Sequence, residues 1–188
     1  MTKAELRKIY KKKRVELSLA VKKRLEDLML IQFQSLHLEI PDMVMTYSPI
    51  EVWNEYNPVL IEEYCFFKNP ATTLVYPVID KIHNTLKALA VKEDTLFELN
   101  EYEIEEPMNG KQTAPEAIGL MIVPLLAFNN MGHRIGYGKG YYDKFIKQCP
   151  SETVKIGFSF FDAEVIDDIS SFDKAMDFCI TPERIYKF

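Results

Sequence analysis

Apolar positions recur along this chain with two different periods, and their succession lays out the elements. Leu6, Ile9, Tyr10 and Leu17 fall on one side at helical spacing, which predicts an amphipathic helix at about 2–16. Ser18 is placed to cap a second helix at about 19–38. Met43–Tyr47 is a short apolar strand running into Ser48-Pro49. Asn57-Pro58 predicts a helix start for Val59–Phe67, since proline suits the first helical turn. Thr72–Val78 and Thr85–Val91 are rich in β-branched and aliphatic residues and read as strands. Acidic, irregular sequence follows through Glu105-Glu106-Pro107 and Gln112-Thr113-Ala114-Pro115, and reads as loop. Leu120–Val123 is a continuous apolar run, the pattern of a strand buried on both faces. Tyr141–Cys149 has helical spacing, and Val154–Phe160 and Phe178–Thr181 read as two last strands.

Strands alternating with helices predict an α/β fold with a largely parallel central sheet flanked by helices, a Rossmann-like three-layer arrangement. A length of 188 residues, with no internal repeat, low-complexity tract or linker, predicts a single domain over 1–188. At 47% hydrophobic and 27% charged residues the composition is that of a globular chain. No apolar run is long enough to span a bilayer, and Met1–Arg7 turns charged at once, unlike a signal peptide. Cys65, Cys149 and Cys179 are distant from one another and odd in number, which predicts reduced thiols in a cytoplasmic protein. His37, His83 and His133 are equally scattered and predict no zinc site. The expected state is a monomer.

Charge and glycine change this picture because both are unevenly placed. Residues 1–24 hold ten Lys or Arg against only Glu5 and Glu16, within a chain of net charge −5. Lys3, Arg7, Lys11 and Arg14 recur at helical spacing, so the first helix carries a basic side. Such a side suits a polyanion: a nucleic acid, a nucleotide or a polyglutamate tail. All seven glycines lie after position 109, and four fall between 132 and 140. Clustered glycine marks a place where the backbone must turn sharply or meet something closely.

The cluster sits between a buried strand and a helix, where open α/β sheets bind ligands. In Arg134-Ile-Gly-Tyr-Gly-Lys-Gly-Tyr-Tyr-Asp143, Gly136, Gly138 and Gly140 let backbone N–H groups converge on an anion. Lys139 supplies a point charge to a phosphate and Arg134 a two-pronged donor. Asp143 is an oxygen ligand for Mg²⁺ once phosphates supply the rest. The spacing does not match the dinucleotide fingerprint, the P-loop or the kinase glycine loop. From the residues alone three readings stand: an ATP-using enzyme, a non-catalytic module gripping nucleic acid, and an isomerase or transferase acting on a sugar phosphate or acyl-CoA.

The longer pattern resembles the 5-formyltetrahydrofolate cyclo-ligase (5,10-methenyltetrahydrofolate synthetase) family. Ile122-Val-Pro-Leu-Leu-Ala-Phe-Asn129, continuing through Gly132–Asp143, is similar to that family's P-x-x-A-F…G-x-R-x-G-x-G-x-G-x-Y-D signature. Lys3-Ala-Glu-Leu-Arg7 with Arg14 and Leu17-Ser18 resembles its basic opening. Tyr47–Glu51, Glu106-Pro107, and Phe172–Asp177 followed by Ile180-Thr181 resemble three further elements in the family's order. The chain departs from it at Leu125, where the family usually has glycine, and at Asn129, where it usually has aspartate.

The resemblance implies a ligase that converts 5-formyltetrahydrofolate and ATP into 5,10-methenyltetrahydrofolate, ADP and phosphate with Mg²⁺. Phosphorylating the formyl oxygen would turn it into a leaving group, and N10 of the resulting iminium phosphate would close the ring. It implies that ATP is contacted by Lys3, Arg7, Arg134, Ile135, Gly136, Tyr137, Gly138, Lys139, Gly140, Tyr141 and Tyr142. It further implies that Lys139 stabilises the transferring phosphoryl group and that Asp143 and Asp173 hold Mg²⁺. Glu51 would bind the folate, and Tyr137, Gly138, Lys139, Gly140 and Tyr141 would face both ligands. The partners it implies are ATP and a reduced folate, with no nucleic acid and no membrane.

Overall fold

The computed structural model describes residues Met1 to Phe188. Helix α1 (Lys3–Val15) opens on a capping box: Thr2 Oγ1 accepts from the Glu5 amide, and Glu5 Oε2 accepts from the Thr2 amide at 2.8 Å. These bonds satisfy donors that a helix start leaves free. The Ser18 hydroxyl caps α2 (Leu19–Ser35) through the Val21 amide at 3.3 Å. That helix stops short of the predicted 38 because His37 takes a left-handed φ of 48° that helical backbone cannot contain. Strand β1 (Met43–Met45) leads to a 3-10 turn at Glu51–Trp53, then to α3 (Val59–Lys68), which starts behind Pro58 as expected.

Strands β2 (Thr73–Asp80) and β3 (Thr85–Ala90) form an antiparallel pair, and β4 (Phe97–Leu99) pairs with β5 (Glu105–Pro107) as a separate ribbon. Strand β6 (Lys111–Thr113) then pairs antiparallel with β3. The stretch predicted as loop therefore carries three short strands. Three residues are too few for an alternation to be read, even in Phe97-Glu98-Leu99, and the sequences of β5 and β6 are polar, so the pairing partner, not the local pattern, decides them.

Strand β7 (Leu120–Val123) follows, then a hairpin of β8 (Ala127–Phe128) and β9 (Arg134–Ile135), and the six-residue helix α4 (Tyr141–Ile146). Strands β10 (Val154–Phe158), β11 (Phe178–Ile180) and β12 (Ile185–Lys187) complete the chain. The eight-stranded sheet runs β12-β11-β10-β7-β1-β2-β3-β6. Its five central strands, β11, β10, β7, β1 and β2, are parallel, with antiparallel strands at both edges. Counted in chain order the parallel strands lie 2-1-3-4-5, so the winding reverses between β1 and β7. Ligands of such sheets bind outside the carboxyl ends of the strands at that reversal.

Alternate residues of each strand feed opposite cores, as the pleat requires. Val44, Leu120 and Ile122 pack with Met29 and Phe33 of α2 and Ile61 and Cys65 of α3. Met45, Met121 and Val123 pack on the other face with Phe145 and Ile146 of α4. Helix α1 closes a third cluster over the strand ends, where Leu6 and Tyr10 meet Leu126, Ala127 and Ile135. No helix is long and apolar enough to cross a membrane.

The two departures at 125 and 129 have local explanations. Asn129 Oδ1 accepts from the amides of Met131 at 3.0 Å and His133 at 2.9 Å, closing the β8–β9 turn with an oxygen that asparagine supplies as well as aspartate. Leu125 is buried and its Cδ2 lies where a Cβ on Gly157 would come within 2.4 Å, with Met176 Sδ 2.5 Å from the same point. Gly157→Ala is therefore expected to overpack this core and lower stability by about 1–3 kcal/mol. The midpoint of urea denaturation measures it, and a change within 0.5 kcal/mol, the ordinary scatter of harmless substitutions, would contradict it.

Candidate functional site

The carboxyl ends of β1 and β7 open into a cavity of about 420 Å³. Tyr47 and Ser48 leave β1 into it, and Pro124 leaves β7. Its other walls come from α1, from the glycine loop Gly136–Gly140, and from the β4–β5 ribbon through Tyr102, Ile104 and Glu106.

Helix α1 turns three of its predicted cations, Lys3, Arg7 and Lys11, into the cavity. Their four-residue spacing keeps them on one helical face while Leu6 and Tyr10 bury the adjacent one. The helix start is pinned to the 161–173 segment. The Lys3 amide donates to Asp168 Oδ1 at 2.7 Å, and the Met1 ammonium pairs with Asp167 at 2.6 Å. Arg7 Nε donates to the Gly136 carbonyl at 2.8 Å, which ties α1 to the glycine loop.

Two glycines make that loop possible. Gly138 has φ 93° and its missing Cβ would stand 3.2 Å from the Arg7 guanidinium carbon; Gly140 has φ 71° and begins α4. Both conformations are strained for residues with a Cβ. Because α4 has only six residues, its dipole adds little, and the positive potential comes mainly from side chains. Lys139 between these glycines is exposed, makes no ion pair, and holds its Nζ 5.4 Å from the centre of the Tyr102 ring.

Two carboxylates already neutralise two of the cavity's cations. Asp173 pairs with Lys3, and Asp143 Oδ1 lies 3.2 Å from Arg134 Nη1 while accepting from the Lys174 amide at 3.1 Å. Burial alone would raise the Asp173 carboxyl, but hydrogen bonds from Lys3 and the Ser170 amide outweigh it and hold it below the ordinary carboxylate range.

The opposite wall is a buried polar network. Glu55 Oε1 accepts from the Tyr137 hydroxyl at 2.6 Å and lies 3.6 Å from Arg14 Nη1, and its Oε2 accepts from the Ile50 amide at 2.9 Å. Arg14 Nη2 donates to the Tyr137 oxygen at 2.5 Å. Burial pushes the Glu55 carboxyl above its ordinary value, and the Arg14 charge is the largest influence against that. Burial, followed by the Glu55 charge, pushes the Tyr137 phenol up. Lys11 lies 4.2 Å over the Trp53 ring and 5.3 Å from that of Tyr137; burial and then the nearby Arg14 and Arg7 charges lower its pKa.

The cavity thus gathers Lys3, Arg7, Arg134, Gly136 to Asp143 and Asp173 from the sequence-based expectations. Two expected residues lie elsewhere. Ile135 is fully buried in the cluster under α1, because it pairs with Ala127 and points away from the loop. Glu51 is exposed on the 3-10 turn and does not line the cavity; Glu55 does. The cause is Asn54, which takes a left-handed φ of 47° and turns the chain so that the next side chain enters the interior. A single sequence shows two glutamates four apart, and only the Asn54 dihedral distinguishes them. Tyr102, in the stretch that read as loop, gave no periodic signal at all.

A family model described as the 5-formyltetrahydrofolate cyclo-ligase family matches residues 2–182. A 5-formyltetrahydrofolate cyclo-ligase of Mycoplasma genitalium is 42% identical over 52 residues, 28% of this chain and 32% of that protein. The mitochondrial 5-formyltetrahydrofolate cyclo-ligase of Arabidopsis thaliana is 30% identical over 83 residues, 38% of this chain and 30% of that protein. These local matches therefore span about a third of the curated relatives' own length. Among solved structures, the Aquifex aeolicus 5,10-methenyltetrahydrofolate synthetase superposes with a TM-score of 0.78 at 25% identity, over 100% of this chain and 93% of that one. A Mycoplasma pneumoniae 5,10-methenyltetrahydrofolate synthetase has the same fold, with a TM-score of 0.74 at 24% identity over 97% and 99% of the two chains.

Proposed function

Because the chain belongs to the 5-formyltetrahydrofolate cyclo-ligase family, we propose that it cyclises 5-formyltetrahydrofolate to 5,10-methenyltetrahydrofolate, consuming ATP and releasing ADP and phosphate. The observation that carries this reading is the meeting, in one cavity, of a cationic glycine-loop side with an aromatic and carboxylate side. The first suits a triphosphate and the second a flat heterocycle bearing N–H groups.

In this reading Lys3, Arg7 and Arg134, with the backbone of Gly136–Gly140, hold the phosphates, and Tyr141 and Tyr142 flank them. Tyr137 and Glu55 face the pterin; Glu55 takes the role first assigned to Glu51. The formyl oxygen attacks the γ-phosphorus, the bond to the β-phosphate oxygen breaks, and ADP leaves. N10 then adds to the formyl carbon, phosphate departs with the former formyl oxygen, and the N10 proton is released. The chain's contribution is to align the two substrates and to place positive charge at the transferring group, which is the task of Lys139.

The residues suit Mg²⁺ held together with a nucleotide. Asp143 and Asp173 both line the cavity, and no group of three acidic, His or Cys side chains stands ready for a bare metal ion. Mg²⁺ characteristically takes one or two carboxylates and completes its shell with phosphates and water. When bound it would neutralise charge on the β- and γ-phosphates.

The test is the absorbance of methenyltetrahydrofolate formed by purified protein. Product is expected only when Mg²⁺, ATP and 5-formyltetrahydrofolate are all present; absence of ATP-dependent product would overturn the proposal.

A further inference from the structure

Arg14 does not line the cavity, yet it is almost wholly buried and reaches three segments that build the cavity's walls. Its Nε donates to the Trp53 carbonyl at 3.1 Å in the 3-10 turn, and its Nη1 donates to the Leu125 carbonyl at 3.2 Å beyond β7. Its Nη2 donates to Tyr137 of the glycine loop, and its Nη1 faces Glu55. The Asn54 side chain in turn donates to the Arg14 carbonyl at 2.7 Å, so the turn is fastened to α1 at both ends of this residue.

We propose that Arg14 is a positioning residue: its guanidinium orients the Glu55 carboxylate and the Tyr137 hydroxyl for an N–H-bearing heterocycle, and holds the Glu55 carboxylate in place by its charge. The orienting role rests on the reading of this wall as the folate side; the hold on Glu55 does not.

A planar fork is what this position requires. A lysine would carry the charge but as a single point, unable to serve Trp53, Leu125 and Tyr137 together. The other titratable groups facing Glu55 do not substitute for it. Lys11 of α1 adds a weaker positive influence, while Tyr47 after β1, Tyr137 of the loop and Tyr142 of α4 are neutral phenols. Burial favours the protonated carboxyl, and Arg14 is the main opposing charge, so its removal moves the Glu55 titration to higher pH.

The experiment has two arms. In the ligand-free protein, the ¹³C carboxyl resonance of Glu55, assigned by its absence in Glu55→Gln, is followed against pH. Arg14→Met is expected to raise the midpoint above that of the wild type, and Arg14→Lys to leave it near the wild-type value. An unmoved midpoint in Arg14→Met overturns the hold on Glu55. In the second arm, calorimetry measures binding of 5-formyltetrahydrofolate and, separately, of Mg·ATP. Arg14→Lys is expected to weaken folate binding roughly tenfold, the worth of hydrogen bonds to a charged group, with ATP binding changed less than about twofold. Equal losses for both ligands would mark general loosening and overturn the orienting role, as would unchanged folate affinity. If Arg14→Met does not fold, Arg14→Gln, which keeps a hydrogen-bond donor without the charge, replaces it in the titration with the same expected rise and the same overturning result, while Arg14→Lys decides the binding arm. A wild-type chain that binds ATP and no reduced folate refutes the folate reading, while the titration still judges the hold on Glu55.

Discussion

Lys139→Ala is expected to lower kcat by about 10²–10³-fold, the usual cost of removing one donor aimed at developing charge. Lys139 has the least structural employment of the cavity's cations. Lys3 and Arg134 are bound to Asp173 and Asp143, and Arg7 spends its Nε on the Gly136 carbonyl. Lys139 is exposed between two glycines, and its contact with the Tyr102 ring is worth about 0.5–1 kcal/mol at such a site. The substitution should therefore leave thermal unfolding nearly unchanged. Initial rates of methenyltetrahydrofolate formation at saturating substrates, beside a thermal melt, check both statements. A kcat near that of the wild type would remove Lys139 from the phosphoryl-transfer step.

Glu55→Ala should act in the opposite way, on the fold as much as on the site. It leaves the Arg14 guanidinium buried without its carboxylate, and the Tyr137 hydroxyl and Ile50 amide without their acceptor. Breaking a buried pair from one side costs about 3–5 kcal/mol, because the remaining charge is uncompensated. Guanidinium chloride denaturation measures this, and a loss under 1 kcal/mol would contradict it, being no more than a typical surface pair contributes. Glu55→Gln keeps the shape and an acceptor oxygen and should cost less. The sign of the pH dependence follows from burial, which raises this carboxyl in the folded chain. Such a group's contribution to stability is fully present below its ordinary, unfolded value and is lost as pH rises through the raised one. Across that window the wild type should lose stability, and Glu55→Gln should lose less.

Both predictions show how local and long-range information divide. The helix carrying Lys3, Arg7 and Lys11, the buried run Leu120–Val123 and the glycine loop were legible because each is a property of neighbouring residues: a period, a run, a cluster. The parallel sheet followed from their order. The β4–β5 ribbon and β6 were not legible, since strands of three residues are too short to show a period and become strands only by finding a partner. Tyr102, carried on that ribbon, shared its invisibility.

Arg14 and Glu55 mark the boundary most clearly. Residue order and spacing were enough to show that Arg14 continues the basic side of α1 and that acidic residues follow β1. It could not say that Arg14 would leave the cavity to the three cations before it, nor that Glu55 rather than Glu51 would face inward. Those outcomes depend on one left-handed residue, Asn54, and on the convergence of α1, the turn, the β7–β8 connection and the glycine loop on one guanidinium. A local pattern sets which face of an element is apolar or charged. Which charges are buried together is decided where distant segments compete for the same donors, and only the tertiary structure holds that information.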